Sequence, residues 1–179
     1  MTQSRLASGC GRNRRPGAFG VDVLANGDAD LVHDLDVFPW LLGDSQWDRI
    51  LCFDVLEHVQ HFVGCVEEIW RVARPGAIVE VSGPFMSSVN YYSDPTHRRA
   101  FTSRSFDYFI EGRPFFRYGY SHARFRLRSC TYDRDQLARR RGLRRAWLAL
   151  KNRHKAIYEQ RLAFIFPVQT VFFELEVVK

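Results

Sequence analysis

The sequence predicts an α/β fold built on a doubly wound, mostly parallel β-sheet. In the first half of the chain, short apolar runs alternate with a clear helical pattern, which is typical of parallel strands. A glycine turn, Gly9-Cys10-Gly11, follows the first apolar run, and an acid, Asp22, falls near the end of the second. This pairing is typical of nucleoside-binding sites in such sheets, although these residues alone also fit an ordinary glycine turn.

The first two strands are expected at residues 6–8 and 18–24. Only a few residues follow the glycine turn before the second strand, so the crossover helix that normally links parallel strands is predicted to be reduced to a turn. Two further strands are expected at 47–54 and 77–82, after a short one that begins at Leu31. Residues 57–73 carry apolar side chains at the spacing of one helix face.

The second half of the chain is expected to add an antiparallel edge to this sheet. Strand character recurs at 118–131 and 171–178, a short helix is predicted at 104–110, and a strongly basic helix at 134–150. Residues 83–103 form a long polar and aromatic loop, and loops of this length are commonly functional. We expect a single domain over the whole chain, residues 1–179.

Composition narrows the class of protein. The 179 residues are 46% hydrophobic, which argues against disorder. No apolar run approaches the ~20 residues that span a bilayer, and the first residues lead directly into a strand, so no signal peptide is expected. The four cysteines lack the spacing of a metal or disulfide framework, and we expect reduced thiols in a cytoplasmic protein.

The net charge of +6 hides an asymmetry between the two parts of the chain. Residues 1–97 carry a net charge of −6 and residues 98–161 a net charge of +13. The basic part favours an anionic partner, such as phosphate, a membrane surface or nucleic acid, with a solvated basic surface as the alternative. No RNA-binding signature accompanies it, so nucleic acid is the least expected of these partners. The basic stretch 139–150 has the composition of a helix peripheral to an anionic membrane.

Several motifs together resemble the class I S-adenosylmethionine-dependent methyltransferases, in the subgroup called methyltransferase type 11. They are Gly-Cys-Gly at 9–11, Gly-Val-Asp at 20–22, Asp-Val-Leu-Glu-His-Val at 54–59 and Glu-Ile-Trp-Arg-Val-Ala-Arg-Pro-Gly at 68–76. The segment Asp-Pro-Thr-His-Arg-Arg-Ala-Phe-Thr at 94–102 is similar to one found in a branch of that group. The resemblance covers nearly the whole chain. It implies a Rossmann-like fold, S-adenosyl-L-methionine as cofactor, and methyl transfer as the activity.

The resemblance also implies roles for single residues in the first three turns. Gly9 and Gly11 would lie under the methionine part of the cofactor. Asp22 would hold the ribose hydroxyls, and Asp34 with Leu35 would meet the adenine edge. For each acid, a surface turn or a helix cap is the alternative.

The fourth strand would complete this cofactor site. By the resemblance, Asp54 and Val55 would border the methionine amino group and the sulfonium. Glu57 and His58 would begin the following helix beside the pocket. The chain would then divide into a cofactor half, up to about residue 83, and an acceptor loop with the basic half in 84–179.

One position departs from the family's pattern. The family usually has an acid two residues before the first glycine of the turn, and here that residue is Ala7. A catalytically impaired, methyltransferase-like binding domain is therefore a second hypothesis, beside an active methyltransferase for a small-molecule or glycan-like acceptor. A third is a methyltransferase or a binder that the Arg-rich half recruits to an anionic surface or to nucleic acid.

Methyl transfer to a hydroxyl group requires a base that takes the proton of the acceptor. The loop at 84–102 would lie at the sheet edge beside the cofactor, and we expect His97 to be the general base there. Asp94 is expected to orient His97 or to cap the loop's turn, and a loop that is merely structural is the alternative. The spacing of His58 and His61 matches no zinc-site pattern, so no metal is expected.

Overall fold

The computed structural model describes residues 4–12 and 15–179. Its seven strands form one mixed sheet in the order β3-β2-β1-β4-β5-β7-β6. The strands are β1 (Arg5–Ser8), β2 (Phe19–Asp22), β3 (Leu31–Val32), β4 (Trp47–Phe53), β5 (Ala73–Pro84), β6 (Arg124–Tyr132) and β7 (Thr170–Val178). The pairs among β1 to β5 are parallel, whereas β7 is antiparallel to both β5 and β6. The predicted fold class is confirmed, including its antiparallel C-terminal edge.

Most helical segments follow β5. They are α1 (Phe62–Val72), α2 (Val89–Ser93), α3 (Arg134–Arg139), α4 (Gly142–Arg153) and α5 (Lys155–Ile157), with 3₁₀ turns at Asp107–Phe109 and Phe116–Tyr118 and a π-helical turn at Tyr158–Leu162. In the described parts of the chain, every helix is too short or too polar to cross a bilayer.

The helix α1 covers one face of the sheet. Its buried residues Val66 and Ile69 belong to the same hydrophobic core as Leu6 of β1, Ile50 of β4 and Val79 of β5. These strand residues alternate with others that point to the opposite face, as the two-residue period of a strand requires. The turn before α1 follows β4 directly in the chain, so it lies at the carboxyl end of that strand.

The opposite face of the sheet is covered by side chains near its centre. Within the described residues, β1 connects to β2, and β2 to β3, without a helix, in agreement with the predicted short first crossover. Arg15 lies over the ring of Phe53 at 4.5 Å, and Arg134 lies over the ring of Phe172 at 3.4 Å. The two rings stack on each other at 5.8 Å. Cation–π contacts therefore screen apolar strand residues from water on this face.

The helix predicted from residue 57 begins later, at Phe62. The amides of Gln60 and His61, which would lie inside the predicted helix, donate instead to the carboxylate of Asp36 at 2.8 Å each. This carboxylate satisfies amides at the start of α1, where no carbonyl group one turn earlier is available.

A second side chain keeps the preceding turn out of the helix. The guanidinium of Arg99 donates to the carbonyl oxygens of Leu56 and Val59 at 2.7 and 2.5 Å. A helix would have paired these oxygens with amides four residues further on. Consequently Glu57 and His58 lie in a turn before α1, and the expectation that they begin the helix was wrong.

The basic helix predicted at 134–150 is in fact two helices. Arg140 and Arg141 have extended backbone angles, and Gly142 has a φ of 61°, so the chain turns between α3 and α4. Arginine side chains repel one another when they are crowded on a single helix, and the break separates them. The helix predicted at 104–110 contains only one 3₁₀ turn.

The strand predicted at 118–131 begins only at Arg124. Before it, the rings of Tyr118 and Tyr120 pack on Tyr108, with centroids 6.1 and 5.7 Å apart. This aromatic packing holds the residues before β6 away from the sheet. The periodicity of the sequence gives no sign of such packing.

Candidate functional site

A pocket of about 260 Å³ lies at the carboxyl ends of the parallel strands. Its lining comes from the turns after β1, β2, β3 and β4: Gly9, Asp22, Val23, His33, Asp34, Leu35, Asp36, Val55, His58 and Val59. This is the edge at which ligands bind to open parallel sheets. Of the residues expected to bind the cofactor, only Gly11 and Asp54 are not part of this lining.

Asp22 is a buried carboxylate at the end of β2. Its Oδ2 accepts a hydrogen bond from the amide of Gly11 at 2.7 Å, and its Oδ1 accepts one from the amide of Leu24 at 2.9 Å. Each oxygen keeps a further electron pair, because a carboxylate oxygen accepts two hydrogen bonds. Gly11 therefore contributes by orienting Asp22 instead of lining the pocket.

Position 9 requires a glycine, because the backbone there lies very close to the side chain of Val55. The φ of Gly9 is 65°, and a Cβ atom at this position would lie 2.4 Å from Cγ2 of Val55. Gly11 also has a positive φ, 56°, but a Cβ there would meet open space. The turn after β1 and the turn after β4 touch at Gly9, and this contact forms one wall of the pocket.

The turn after β3 supplies a second wall. Asp34 is exposed, and its Oδ1 accepts a hydrogen bond from the amide of Asp36 at 2.9 Å, while Leu35 is buried. Sequence reasoning missed several lining residues, namely Val23, His33, Asp36 and Val59. All of them are within four residues of an expected site residue, so proximity in sequence was the available signal.

Asp54 follows β4 with a positive φ of 52°, which is uncommon for a residue other than glycine. It is exposed, and its Oδ1 accepts a hydrogen bond from the hydroxyl of Ser82 at 3.3 Å. This bond links the ends of β4 and β5. Backbone strain of this kind is concentrated at functional edges, and here it reverses the chain so that Val55 points into the pocket.

A second group of polar side chains lies beside the pocket. The turn after α2 carries Asp94, Thr96 and His97 to the turn that holds Glu57 and His58. The rings of His58 and His97 are 4.7 Å apart. Because His58 also lines the pocket, this polar cluster and the pocket share a wall.

Hydrogen bonds orient both imidazoles. Nδ1 of His97 lies 3.3 Å from the carbonyl oxygen of Tyr91, and Nδ1 of His58 lies 2.9 Å from the hydroxyl oxygen of Thr96. The Thr96 hydroxyl donates to Oδ1 of Asp94 at 2.6 Å. Oδ2 of Asp94 is 3.8 Å from Nε2 of His97, which is longer than a hydrogen bond. Asp94 thus caps its own turn and also places a charge beside His97.

Glu57 is the most buried member of the polar cluster, with 1% of its surface exposed. Burial, with a smaller contribution from the charges of Asp54 and Asp94, raises the pKa of Glu57 to about 8. Burial also lowers the pKa of His58, and the neighbouring charge of His97 lowers it too. Carboxyl and imidazole groups with displaced pKa values beside a pocket are typical of sites that handle protons or charged ligands.

Two other residues singled out in the sequence lie apart from these groups. His61 is the residue that precedes α1, and its ring packs on that of Phe38. Ala7 is buried within β1, paired with Gly20 of β2 and Leu51 of β4. The place where the resemblance leads one to expect an acid is therefore an apolar position inside the sheet.

Comparison with known families identifies a matching domain in the middle of the chain. Residues 22–81 match the model of the methyltransferase domain. This range runs from the end of β2 into β5 and includes Asp22, Val55 and His58. A search of curated proteins found no match.

Solved structures share the fold at low sequence identity. An S-adenosylmethionine-dependent methyltransferase from Archaeoglobus fulgidus is 16% identical, with a TM-score of 0.58 over 97% of this chain and 86% of that chain. Phosphoethanolamine N-methyltransferase 2 from Haemonchus contortus, in complex with S-adenosyl-L-methionine, is 12% identical, with a TM-score of 0.57 over 100% of this chain and 49% of that one. The [4+2]-cyclase SpnF is 14% identical, with a TM-score of 0.57 over 98% of this chain and 75% of that chain.

We expect Gly9→Ala to destabilise the protein more than Gly11→Ala. Both substitutions place an alanine at positive φ, which costs about 1–2 kcal/mol, but only the Cβ at residue 9 collides with Val55. Urea unfolding should show a further loss of about 1–3 kcal/mol for Gly9→Ala, the usual cost of overpacking. Adding Val55→Ala to Gly9→Ala should recover part of that loss. Equal losses in the two single variants would contradict the close approach.

Proposed function

Residues 22–81 match a methyltransferase domain, and the whole chain has the fold of solved methyltransferases. From this premise we propose that it transfers methyl groups from S-adenosylmethionine to a hydroxyl-bearing small molecule or glycan-like acceptor. The observation that carries the proposal is the pocket at the strand ends. Residues from four separate turns, after β1, β2, β3 and β4, converge on it. Six of them are residues to which the sequence resemblance had assigned a role in cofactor binding.

The chemistry of these residues fits the cofactor. Two backbone amides hold the Asp22 carboxylate in place. Each of its oxygens has an electron pair left, which would accept a hydrogen bond from a ribose hydroxyl. Leu35 provides an apolar contact for adenine, with the Asp34 carboxylate beside it, and Gly9 with Val55 would border the methionine part. When bound, S-adenosylmethionine supplies a methyl group on a positively charged sulfonium, which suits the acidic N-terminal part of the chain.

On the acceptor side, we assign His97 the role of general base. If its Nδ1 carries a proton for the Tyr91 carbonyl, Nε2 has an electron pair free to take the proton of an acceptor hydroxyl. The charge of Asp94, 3.8 Å from Nε2, would stabilise the imidazolium that results. The polar cluster adjoins the pocket at His58, so the loop can align the acceptor oxygen with the methyl group, which is the main source of acceleration.

A methyltransferase-like binding domain without turnover is the second candidate, and Ala7 favours it. A side chain that cannot accept a hydrogen bond occupies the place of the usual acid, inside the sheet. The [4+2]-cyclase with this fold also illustrates that a fold is not bound to one reaction. Cofactor binding without formation of S-adenosylhomocysteine on any acceptor would select this candidate.

Asp22→Asn should weaken the binding of S-adenosylmethionine by at least about fivefold, or about 1 kcal/mol, because one acceptor oxygen and the charge are lost. Isothermal titration calorimetry measures the dissociation constant. Asp28→Asn, at an exposed residue of the loop after β2, is the matched control and should bind as the parent does. Parental affinity in a folded Asp22→Asn protein would refute this assignment. A parent that does not bind would refute the cofactor proposal itself.

His97→Asn should lower turnover by roughly 10²-fold or more, the usual contribution of a general base, with cofactor affinity unchanged. Turnover is measured as S-adenosylhomocysteine formed with a panel of hydroxyl-bearing small molecules and glycans. His122→Asn, at an exposed histidine, is the control. Parental turnover in His97→Asn would rule out the assignment. Joint loss of turnover and cofactor binding would indicate a structural role instead.

The C-terminal part of the chain carries an exposed apolar surface, formed by α4 and the segment at 164–166. Leu143, Trp147 and Leu150 lie on one face of α4, and Leu143 is 89% exposed. The ring of Trp147 contacts that of Phe166 at 5.4 Å, and Phe164 beside it is 69% exposed. An apolar surface of this extent on a monomer commonly marks a contact site.

Basic side chains border this C-terminal apolar surface and favour an anionic lipid surface as its partner. They are Arg139, Arg140, Arg141, Arg144 and Arg145. Arginines at the level of the headgroups, with tryptophan and phenylalanine inserted below, are the pattern of helices that lie on membranes. We therefore propose that the domain attaches reversibly to anionic membranes through this surface.

Co-sedimentation with vesicles that contain anionic lipid should recover the protein, and added salt should reduce the recovery strongly. The combined variant Trp147→Ala and Phe164→Ala should bind less, because its apolar contact area is smaller. Leu41→Ala, at an exposed apolar residue outside this surface, is the control. Equal recovery with neutral vesicles would count against the proposal.

A further inference from the structure

We propose that Glu57, His58 and His97 bind a divalent metal ion, which holds the hydroxyl oxygen of the acceptor. A carboxylate oxygen of Glu57 and one imidazole nitrogen from each histidine lie within 4.8 Å of one another. In a tetrahedral site with bonds of about 2.0–2.2 Å, ligand atoms are about 3.3–3.6 Å apart, so an ion would draw the three groups together by up to about 1.3 Å. The catalytic part of this inference rests on the proposed function, whereas the binding of the ion does not.

His97 is held as a metal-binding histidine would be. Its Nδ1 contacts the carbonyl oxygen of Tyr91, and a carbonyl can only accept a hydrogen bond, so Nδ1 carries the proton. Nε2 is then left with a free electron pair. Histidines that bind metals almost always donate the other ring N–H to a carbonyl or carboxylate, which fixes the tautomer.

His58 is fixed by a relay of two hydrogen bonds. The Thr96 hydroxyl donates its only hydrogen to Oδ1 of Asp94, at 2.6 Å. The hydroxyl oxygen can therefore only accept from Nδ1 of His58, 2.9 Å away. The proton of His58 is thus placed on Nδ1, and Nε2 is free to act as a ligand.

Glu57 is the observation that points to a bound cation. Its carboxyl group is 1% exposed, and among the described residues Oε2 has no hydrogen-bond partner. Oε1 lies 4.0 Å from Nε2 of His97, and Oδ2 of Asp94 lies 3.8 Å from the same nitrogen. With the tautomer described above, Nε2 of His97 donates no hydrogen to either of these oxygens. A buried arrangement of this kind is stabilised by a cation shared among the groups.

The ligand set indicates which ions fit. Two imidazoles and one carboxylate suit Zn²⁺ and other first-row ions such as Mn²⁺ and Co²⁺, whereas Mg²⁺ and Ca²⁺ prefer oxygen ligands alone. Three protein ligands leave a position for an oxygen atom from the acceptor. Since His58 also lines the cofactor pocket, that oxygen would be held where the pocket adjoins the acceptor loop.

The ion and the general-base role use the same electron pair on Nε2 of His97, so they are alternatives for one atom. With the ion bound, His97 is a ligand. The hydroxyl oxygen on the ion is more acidic, so its O–H bond breaks and the proton passes to water. The oxygen then forms its bond to the methyl carbon as the carbon–sulfur bond breaks. The expectation of no metal was based on the spacing of His58 and His61 in the sequence. In the folded chain, the histidine beside His58 is His97 instead.

The test uses the purified full chain, stripped of metal with a chelator. Titration with Co²⁺, followed by its visible absorption, and with Zn²⁺ by calorimetry should reveal one ion per chain at micromolar affinity or better. Glu57→Gln and His97→Asn should each weaken binding by about tenfold or more. The control is His122→Asn, because His122 forms an exposed imidazole–carboxylate pair with Glu67 at 3.4 Å. This variant should bind as the parent does.

The outcomes separate the site from the proposed function. Millimolar or weaker binding by the parent, or binding that Glu57→Gln and His97→Asn both leave intact, overturns the site. Methylation that stops on removal of the metal and returns with the ion supports its catalytic role. Methylation that is unaffected overturns that role and leaves His97 as the base. A chain that binds the ion but not S-adenosylmethionine overturns the proposed function while the site stands.

Discussion

The arrangement around the candidate site depends on the contacts of Arg99. Its guanidinium binds the carbonyl oxygens of Leu56 and Val59, groups that are 40 or more residues away in sequence. Charge-assisted hydrogen bonds of this kind are among the stronger polar contacts in proteins. They keep the turn after β4 from becoming helix, and they tie the returning acceptor loop to that turn. Together with the hydrogen bonds that Thr96 and Arg98 make to the same turn, this connection brings His97 beside His58.

The acids that line the pocket also support the backbone around it. Asp22 joins the turn after β1 to the turn after β2, and Asp36 joins the turn after β3 to the start of α1. In the described residues, the crossovers between β1, β2 and β3 contain no helix, so these hydrogen bonds provide support that helix packing provides elsewhere. Arg15 and Arg134 play a comparable part on the opposite face, where they cover Phe53 and Phe172.

The fold and the chemistry are supported by different observations. Similar structures include methyltransferases and a cyclase, all at 16% identity or less among those compared above, so the sheet alone does not select a reaction. The reaction must therefore be determined by the side chains at the edge of the sheet. Here those side chains form two adjoining groups, a pocket with acidic walls and the polar cluster around His97. The shared residue His58 makes it possible for events in one group to affect the other.

The sequence by itself determined the fold class and, at the pocket, the glycine turn and Asp22, because these depend on local patterns. The roles of Asp34, Leu35, Val55 and His58 were implied by the resemblance to a family. A glycine turn after one strand and an acid after the next reach the same sheet edge in any parallel sheet. The limits of α1, the break at Gly142 and the role of Gly11 were decided by contacts that no local pattern reports. The association of Glu57 with His97 was also decided by tertiary structure, because the chain of 39 residues between them folds back and is held there by Arg99. Periodicity describes which face of an element is buried, whereas the partners of a polar side chain depend on what the fold brings beside it.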